Sequence, residues 1–501
     1  MKREDAGSYS HVLKYTGIFG GVQGLNILVG LVRNKLVALL LGPDGMGLVS
    51  LFNSAVTFIS QATNFGISFS AVKHISELFD SGDESKIEHF VQVVRLWSFL
   101  TALLGMLVCA VAGPWLSEST FSWGDHTLHF VLLSPAVGLL AITGGETAIL
   151  KGVRSLRSLA VIQLCGVLAT LVVSVPLYYY FGQAAIVPVI VLMALVTTLL
   201  TISRSYRLYP LRMGSTDGLR EGASMIRLGL AFVVAGVLGS GAEMLIRSYM
   251  NVKGGLDDVG LYNAGFMLVC TFAGLVFSSM ESDFFPRLSA VPHDDVEVQN
   301  LTVNRQIEVS VLIVAPLLSL LMVSIPILVP LLFSSRFVAV IPMAQAAVFS
   351  MYVKALSLPV SYLTLARGDS VTYMILEGVY DLLLVGLIMW GYSRWGLVGT
   401  GVALSVSYVL DLLMVAGYAY FRYGYYMSGQ VLRYSVIQLL LGGAILFAVS
   451  RLQVFFPSGI CWGLGVVLCV VSLLYSLRVL QRKTSLWTAL TTKIKKRFPH
   501  A

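Results

Sequence analysis

The chemistry this sequence can do lies in charged and amide side chains set inside apolar runs. Arg33 stands in "LNILVGLVRNKLVALLLG", with apolar sequence on both sides. At 100° per residue, Gln23, Asn26, Gly30, Arg33 and Asn34 fall within an arc of about 100° on one helix. Lys35 falls off that stripe and is expected to snorkel toward the membrane edge. In "AGVLGSGAEMLIRSYM", Gly236, Ser240, Glu243 and Arg247 share one face, and Glu243 and Arg247 sit at i,i+4. Lys354 lies near the middle of "AAVFSMYVKALSLPVSYL". Glu377 and Asp381 are again i,i+4, and Asp411 lies in the next apolar run. An ionisable group inside a membrane span is costly and marks a functional site by default. Arginine offers a planar fork to phosphate oxygens and lysine a point charge. Arg33, Arg247 and Lys354, with Asn26 and Gln23, therefore form a candidate binding set for an anionic cargo. Glu243, Glu377, Asp381 and Asp411 are candidates for a coupling ion or proton. The bland alternatives stand beside these readings. Glu243 can pair with Arg247, and the later carboxylates with Lys354 or Arg367.

The elements that must hold these side chains are transmembrane helices. The chain has 501 residues, is 56% hydrophobic and carries only 12% charged residues. Soluble domains carry roughly 25%. Apolar runs of helical membrane-crossing length recur from end to end, and the short alternating segments of a β-barrel are absent. The expected fold is all-α and polytopic. Fourteen spans are read, at about 12–41, 46–69, 91–113, 128–150, 159–181, 185–203, 228–250, 260–282, 307–333, 342–366, 372–391, 397–421, 432–450 and 460–480. The charged start followed by an apolar run resembles a signal peptide, but the run is too long and no A-x-A-like site closes it, so it reads as an uncleaved first span.

Lysine and arginine set the orientation. With the N-terminus placed in the cytoplasm, 26 of the 34 fall on the inner side, 7 on the other side or outer helix ends, and Lys354 is left in mid-span. Both termini are thus expected to be cytoplasmic. The net charge of +8 is a topology signal and gives no reason to expect nucleic acid. The five cysteines all fall in apolar runs, which argues for small hydrophobes over disulfides or a metal site. No P-loop and no H-E-x-x-H is present, so no enzyme, cofactor or metal is expected. The basic tail 491–501 reads as an inner-leaflet anchor.

Two halves of the chain read alike. Gly42 to Leu48 and Gly255 to Leu261 both follow G-x-D-x-[MV]-G-L, at an offset of 213. "ILKGVRS" pairs with "LARGDS", and Phe181-Gly182 with Trp395-Gly396, at nearly the same offset. The expected organisation is a six-helix lobe at 1–205, a cytoplasmic linker at 206–225, a second six-helix lobe at 226–425, and two extra helices with a basic tail at 426–501. Six spans per lobe make these parallel repeats, with a cargo path between them near mid-membrane.

The run from Arg33 to Leu48, "RNKLVALLLGPDGMGL", the "LKG" after the fourth span and "FFPRLS" at 284–289 resemble Wzx-type flippases of the polysaccharide transport branch. Lys354 with Arg367 thirteen residues on is similar to the enterobacterial common antigen flippase pattern. The resemblance covers about 12–425. It implies alternating access and a cationic cavity for an undecaprenyl-diphosphate-linked oligosaccharide, such as an O-antigen repeat unit of lipopolysaccharide. It also implies a bacterial inner-membrane location, contact with membrane lipids, and a polysaccharide polymerase and chain-length regulator as partners. Fourteen spans depart from the twelve common in that branch and match the related lipid II flippases, where the last two spans help form a lipid groove. A drug/cation antiporter, which would predict an acidic cavity, and a non-transporting scaffold of an assembly complex are the other classes open to the sequence.

Overall fold

The computed structural model describes residues 4–121, 123–211, 218–292, 294–450 and 457–483. Fourteen α-helices and two short 3₁₀ turns make up the regular structure of these residues. The helices are α1 (Glu4–Thr63), α2 (Ile67–Ser81), α3 (Glu84–Val111), α4 (Gly113–Thr120), α5 (Thr127–Gly152), α6 (Leu156–Phe181), α7 (Ile186–Leu208) and α8 (Gly218–Gly254). They continue as α9 (Leu256–Ser289), α10 (Val296–Leu332), α11 (Ile341–Ala366), α12 (Ser370–Tyr423), α13 (Gly429–Ser450) and α14 (Ser458–Lys483). Nine helical segments among the described residues are long and apolar enough to cross a membrane, and some hold two predicted spans. The protein is a multi-pass membrane protein.

The fourteen predicted spans fall on helices, but two pairs of them share one helix. α1 holds the first two spans and breaks at Gly42, with φ 68° and ψ −173°. α12 holds 372–391 and 397–421 and breaks at Trp395-Gly396, where Gly396 has φ 57°. These positive φ values explain why glycine ends each limb. At the second break the chain turns back sharply. A methyl group on Gly399 would lie 1.9 Å from the Gly391 carbonyl oxygen, although the two residues are eight apart along the chain. In a straight helix that separation is about 12 Å. Two helices have no counterpart among the predicted spans. α2 buries Ile67, Ala71 and Ile75 against Ile87, Val91 and Val94 of α3 and Ile149 of α5, with Lys73 and Glu77 on its exposed side. α4 is a short helix with Pro114 in its first turn.

Local chemistry marks several helix starts. Asp83 caps α3 by accepting from the Lys86 backbone N–H. Hydrogen bonding from the Lys86 side chain, then from the Ser85 hydroxyl and the Lys86 N–H, holds this exposed carboxyl down at about 2. Asp369 caps α12 through the Thr372 N–H in the same way. Leucines and valines such as Leu107, Val111, Leu382 and Leu413 are exposed on the helix surfaces, as lipid-facing side chains should be. The five cysteines are free thiols.

The chain divides into two compact units. One runs to Asn263 and adds Pro330–Arg336; the other comprises Ala264–Val329 and the chain from Phe337 on. α8 belongs to the first unit because it packs on α1, α2, α3 and α4. This division by packing differs from the lobes read from the repeat, whose joint at 206–225 lies partly outside the described residues. Two stretches that match in the sequence repeat meet within the first unit. A methyl group on Gly47 would lie 2.1 Å from the Leu256 carbonyl oxygen, and one on Gly260 would lie 2.0 Å from the Pro43 carbonyl oxygen. Residues 43 and 47 correspond to 256 and 260 at the offset of 213. The contact is therefore reciprocal, the signature of a local two-fold relation.

Candidate functional site

The second unit gathers most of its singled-out polar residues in one place. α11 is 26 residues long and carries Lys354 at its middle, roughly 18–20 Å from either end. The Lys354 ammonium lies 5.7 Å from the ring centres of both Phe277 on α9 and Tyr408 on α12. Such a position over aromatic faces suits a cation withdrawn from water. Asp411, one helical turn beyond Tyr408, is hydrogen-bonded to Ser357 and within electrostatic reach of Lys354. Glu377 on the first limb of α12 interacts with Asp411, Asp381 and Lys354, and Tyr373 hydrogen-bonds to it. Tyr380 hydrogen-bonds to Tyr408 and Ser407. The fold-back of α12 at Gly396 is what sets Glu377 and Asp381 on one limb against Asp411 on the other. The tight packing of α11 on α12 places Lys354 beside them. Glu377 and Asp411 act on the Lys354 ammonium, and Asp381 acts on Glu377. Fully ionised, the set carries an excess of negative charge in a medium where charge is expensive. A proton would lower that excess, and an anion would need Lys354 to turn away from its carboxylates.

The first unit treats its two arginines differently. Arg247 is 7% exposed and fully engaged. Its Nε donates to Ser50 Oγ at 2.9 Å, and its Nη1 donates to the Glu243 carboxylate at 3.0 Å and the Glu243 carbonyl at 3.1 Å. Glu243 and Arg247 thus form the i,i+4 ion pair that the sequence left open, tied to the second limb of α1. Arg33 sits half-buried beside Tyr178 of α6. Its Nε is buried with no hydrogen-bond partner, as is Oδ1 of Asn26 on the same stripe. Gln23 lies outside the residues whose side chains are described. Lys35 donates from Nζ to the Leu331 carbonyl at 2.7 Å, at the C-terminal end of α10. A cation there meets the negative end of the helix dipole, so Lys35 is a cap as well as an edge marker.

Sequence reasoning missed one buried ion pair. Arg95 on α3 and Glu146 on α5 are 8% and 3% exposed. Arg95 Nε donates to Glu146 Oε1 at 2.9 Å, Nη2 reaches Ser205 of α7 at 3.3 Å, and Nη1 reaches the Pro210 carbonyl at 3.4 Å. The guanidinium also lies 4.1 Å from the Tyr206 ring centre. One side chain ties three helices and the start of the interlobe connector. In the sequence Arg95 counts as a topology charge at the end of a span. The available signal was Glu146, an acid inside the apolar run 128–150.

Among the described residues, no group of three or more histidine, cysteine, aspartate or glutamate side chains is arranged to hold a metal ion.

The polysaccharide biosynthesis protein family matches residues 36–342, more than half of the chain. The chain belongs to that family. The family segment contains α2 to α10 and the second limb of α1, and ends at the start of α11. Lipid III flippases of Escherichia coli (strain K12) and Shigella flexneri are each 22% identical over 409 residues, covering 78% of this chain and 94% of theirs. Among solved structures, the lipid II flippase MurJ in an inward closed conformation matches with a TM-score of 0.72 at 12% identity, over 93% of this chain and 99% of that one. An inward-facing multidrug resistance MATE transporter of the MOP superfamily matches with a TM-score of 0.61 at 16% identity, over 78% of this chain. At these identities the structural matches establish the fold: the family member described here has a MurJ- and MATE-like helical architecture.

Proposed function

We propose that this chain is a flippase of the MOP superfamily that carries an undecaprenyl-diphosphate-linked oligosaccharide across the bacterial inner membrane by alternating access. The observation that carries this reading is Lys354, an ammonium held at mid-helix between Phe277 and Tyr408 in a member of a polysaccharide biosynthesis family. A diphosphate headgroup is the anion such a cation suits. In the first unit, Arg33 with its unpartnered Nε is a further candidate donor. Asn26 and Gln23 would extend Arg33's polar stripe toward the glycan. Arg247 is assigned a smaller part, because Glu243 and Ser50 already occupy it. Glu377, Asp381 and Asp411 would hold the coupling ion or proton, whose binding frees Lys354 for the cargo.

The names of the two curated relatives favour a lipid III-type cargo; enterobacterial common antigen and O-antigen units are the cargoes that the sequence resemblance implies. The lysine/arginine distribution supports a cytoplasmic position for both termini, and transport would run from the cytoplasmic to the periplasmic leaflet. A polysaccharide polymerase and a chain-length regulator would receive the product. A second reading, lipid II export, rests on one observation: the MurJ match extends over 93% of the chain, including more of its length than the MATE match.

The test is complementation of strains lacking a lipid III flippase, an O-antigen flippase or a lipid II flippase. Rescue of a polysaccharide-pathway strain is expected, with loss of rescue on Lys354→Ala and Arg33→Ala at unchanged membrane abundance. Rescue of the lipid II strain alone would move the assignment to that branch. Full activity of both variants would remove the cationic cavity.

A further inference from the structure

The two repeat turns meet at their glycines. Gly47 and Gly260 bring main chain against main chain. Close backbone packing of this kind gains dispersion contacts that do not depend on pH. The groups that flank it add a pH-dependent part. The third residue of each G-x-D motif is an aspartate, Asp44 in one turn and Asp257 in the other. Their carboxyl groups lie within hydrogen-bonding reach of each other across the contact, and Asp257 also accepts from the Asp44 backbone N–H. Two ionised carboxylates have no hydrogen to share and repel; one proton turns the repulsion into a hydrogen bond.

We propose that Asp44 and Asp257 form a proton-operated latch that holds the two repeat turns together at the cation-poor face of the membrane. On α1, Lys35 is engaged with the Leu331 carbonyl. On the 3₁₀ turn 335–340, Arg336 reaches toward Gly42. Lys253 closes α8, and Asp258 follows Asp257. The groups acting on Asp257 are its hydrogen bond to Asp44, partial burial, and the Asp44 charge, in that order, opposed by the Asp44 N–H; no cation is among them. Together they push Asp257 up from 3.8 to about 6.

The direction follows from linkage. The closed pair holds a proton that separated carboxyls would release. Closure is therefore fully favoured below the ordinary aspartate value of 3.8 and is lost as pH rises through about 6. Because both side chains are exposed, solvent screening reduces the effect. An acid medium on that face holds the turns shut, and a neutral one lets them part. The two aspartates are positioning residues for a conformational step and touch no cargo. The inference stands apart from the cargo assignment, since it needs only the geometry of the turns.

The test is hydrogen–deuterium exchange of the purified full chain in lipid nanodiscs at pH 5 and pH 7, with labelling times scaled for the intrinsic pH dependence of amide exchange. Peptides covering 41–50 and 254–263 should lose about tenfold in protection at pH 7. Asp257→Asn keeps the shape and donates to the Asp44 carboxylate without a titrating proton, so its protection should stay high at both pH values. Asp44→Asn should behave likewise. Wild-type protection that does not change between the two pH values would overturn the latch, as would an Asp257→Asn variant that keeps the wild-type pH dependence.

Discussion

Arg33 and Arg247 show how two arginines in apolar sequence come to different ends. Both lie on polar stripes, and both are near-equivalent in the repeat. Arg247 has three hydrogen bonds to Glu243 and Ser50, whereas Arg33 Nε has none. Removing Arg247 should lower the melting temperature, since it leaves Ser50 and Glu243 without their partner. Removing Arg33 should leave the melting temperature within a degree or two of wild type. The spacing of charges located both residues, but only packing could tell a satisfied ion pair from a spare donor. Arg95 and Glu146 make the same point from the other side, because two charges 51 positions apart give no local pattern. Their bond is buried in a low-dielectric interior, so breaking it from one side is costly. Arg95→Met should destabilise the protein by about 3–5 kcal/mol, because Glu146 is then left buried and uncompensated. The double variant Arg95→Met/Glu146→Leu should recover most of that loss. Thermal unfolding in detergent checks this; a double variant no better than the single one would show that the tie to Ser205 and Pro210 dominates instead.

At the scale of elements, apolar length and glycine punctuation were enough to place the fourteen span-length stretches on helices. Two features were not legible. α2 is amphipathic and too polar to register as a span; its helical nature follows from burial against α3 and α5. The second is how abrupt the breaks at Gly42 and Trp395-Gly396 are: the sequence separates the spans there, but one or two non-helical residues make each turn with no intervening loop. The α12 turn is the more consequential, since it folds Glu377 and Asp381 back toward Asp411. Gly399 is its closest contact, with a methyl group predicted 1.9 Å from a backbone oxygen that cannot move aside alone. Gly399→Ala should therefore push the two limbs apart and cost about 1–3 kcal/mol as an overpacking defect. The same substitution at Gly386, where nothing lies within 4 Å, should be neutral or slightly stabilising. A second element-level device ties 424–428 to α10. Asn300 donates to the Gly424 carbonyl and accepts from the Tyr426 N–H; Asn304 donates to the Tyr426 carbonyl and accepts from the Ser428 N–H. Each amide satisfies two backbone groups in a stretch with no helix of its own. Replacing both asparagines by alanine should open this stretch to limited proteolysis while the rest of the chain stays resistant.

For the molecule as a whole, the proposed function makes charge balance at Lys354 the quantity to test. Lys354 cannot serve an anionic cargo while it faces Asp411 and Glu377 with both ionised, because the carboxylates already supply the opposite charge. Binding of a proton at Glu377 or Asp411 removes that competition, so proton and cargo should bind with positive cooperativity. A coupling of this kind predicts that an imposed ion gradient changes the rate of flipping in proteoliposomes, and that the carboxylates carry the dependence. Asp411→Asn keeps the hydrogen-bonding shape at Ser357 but fixes one member of the set as neutral. It should bind the cargo headgroup at least as well as wild type and lose most of its response to the gradient. Lys354→Ala should lose cargo binding with the carboxylates intact. If Asp411→Asn, Glu377→Gln and their combination all respond to the gradient as wild type does, the energy enters elsewhere in the molecule and this cluster is a structural ion network only. If instead the response falls in step with the number of carboxylates neutralised, the acidic limb of α12 and the lysine of α11 act as one unit, and the fold-back at Gly396 is what assembles it.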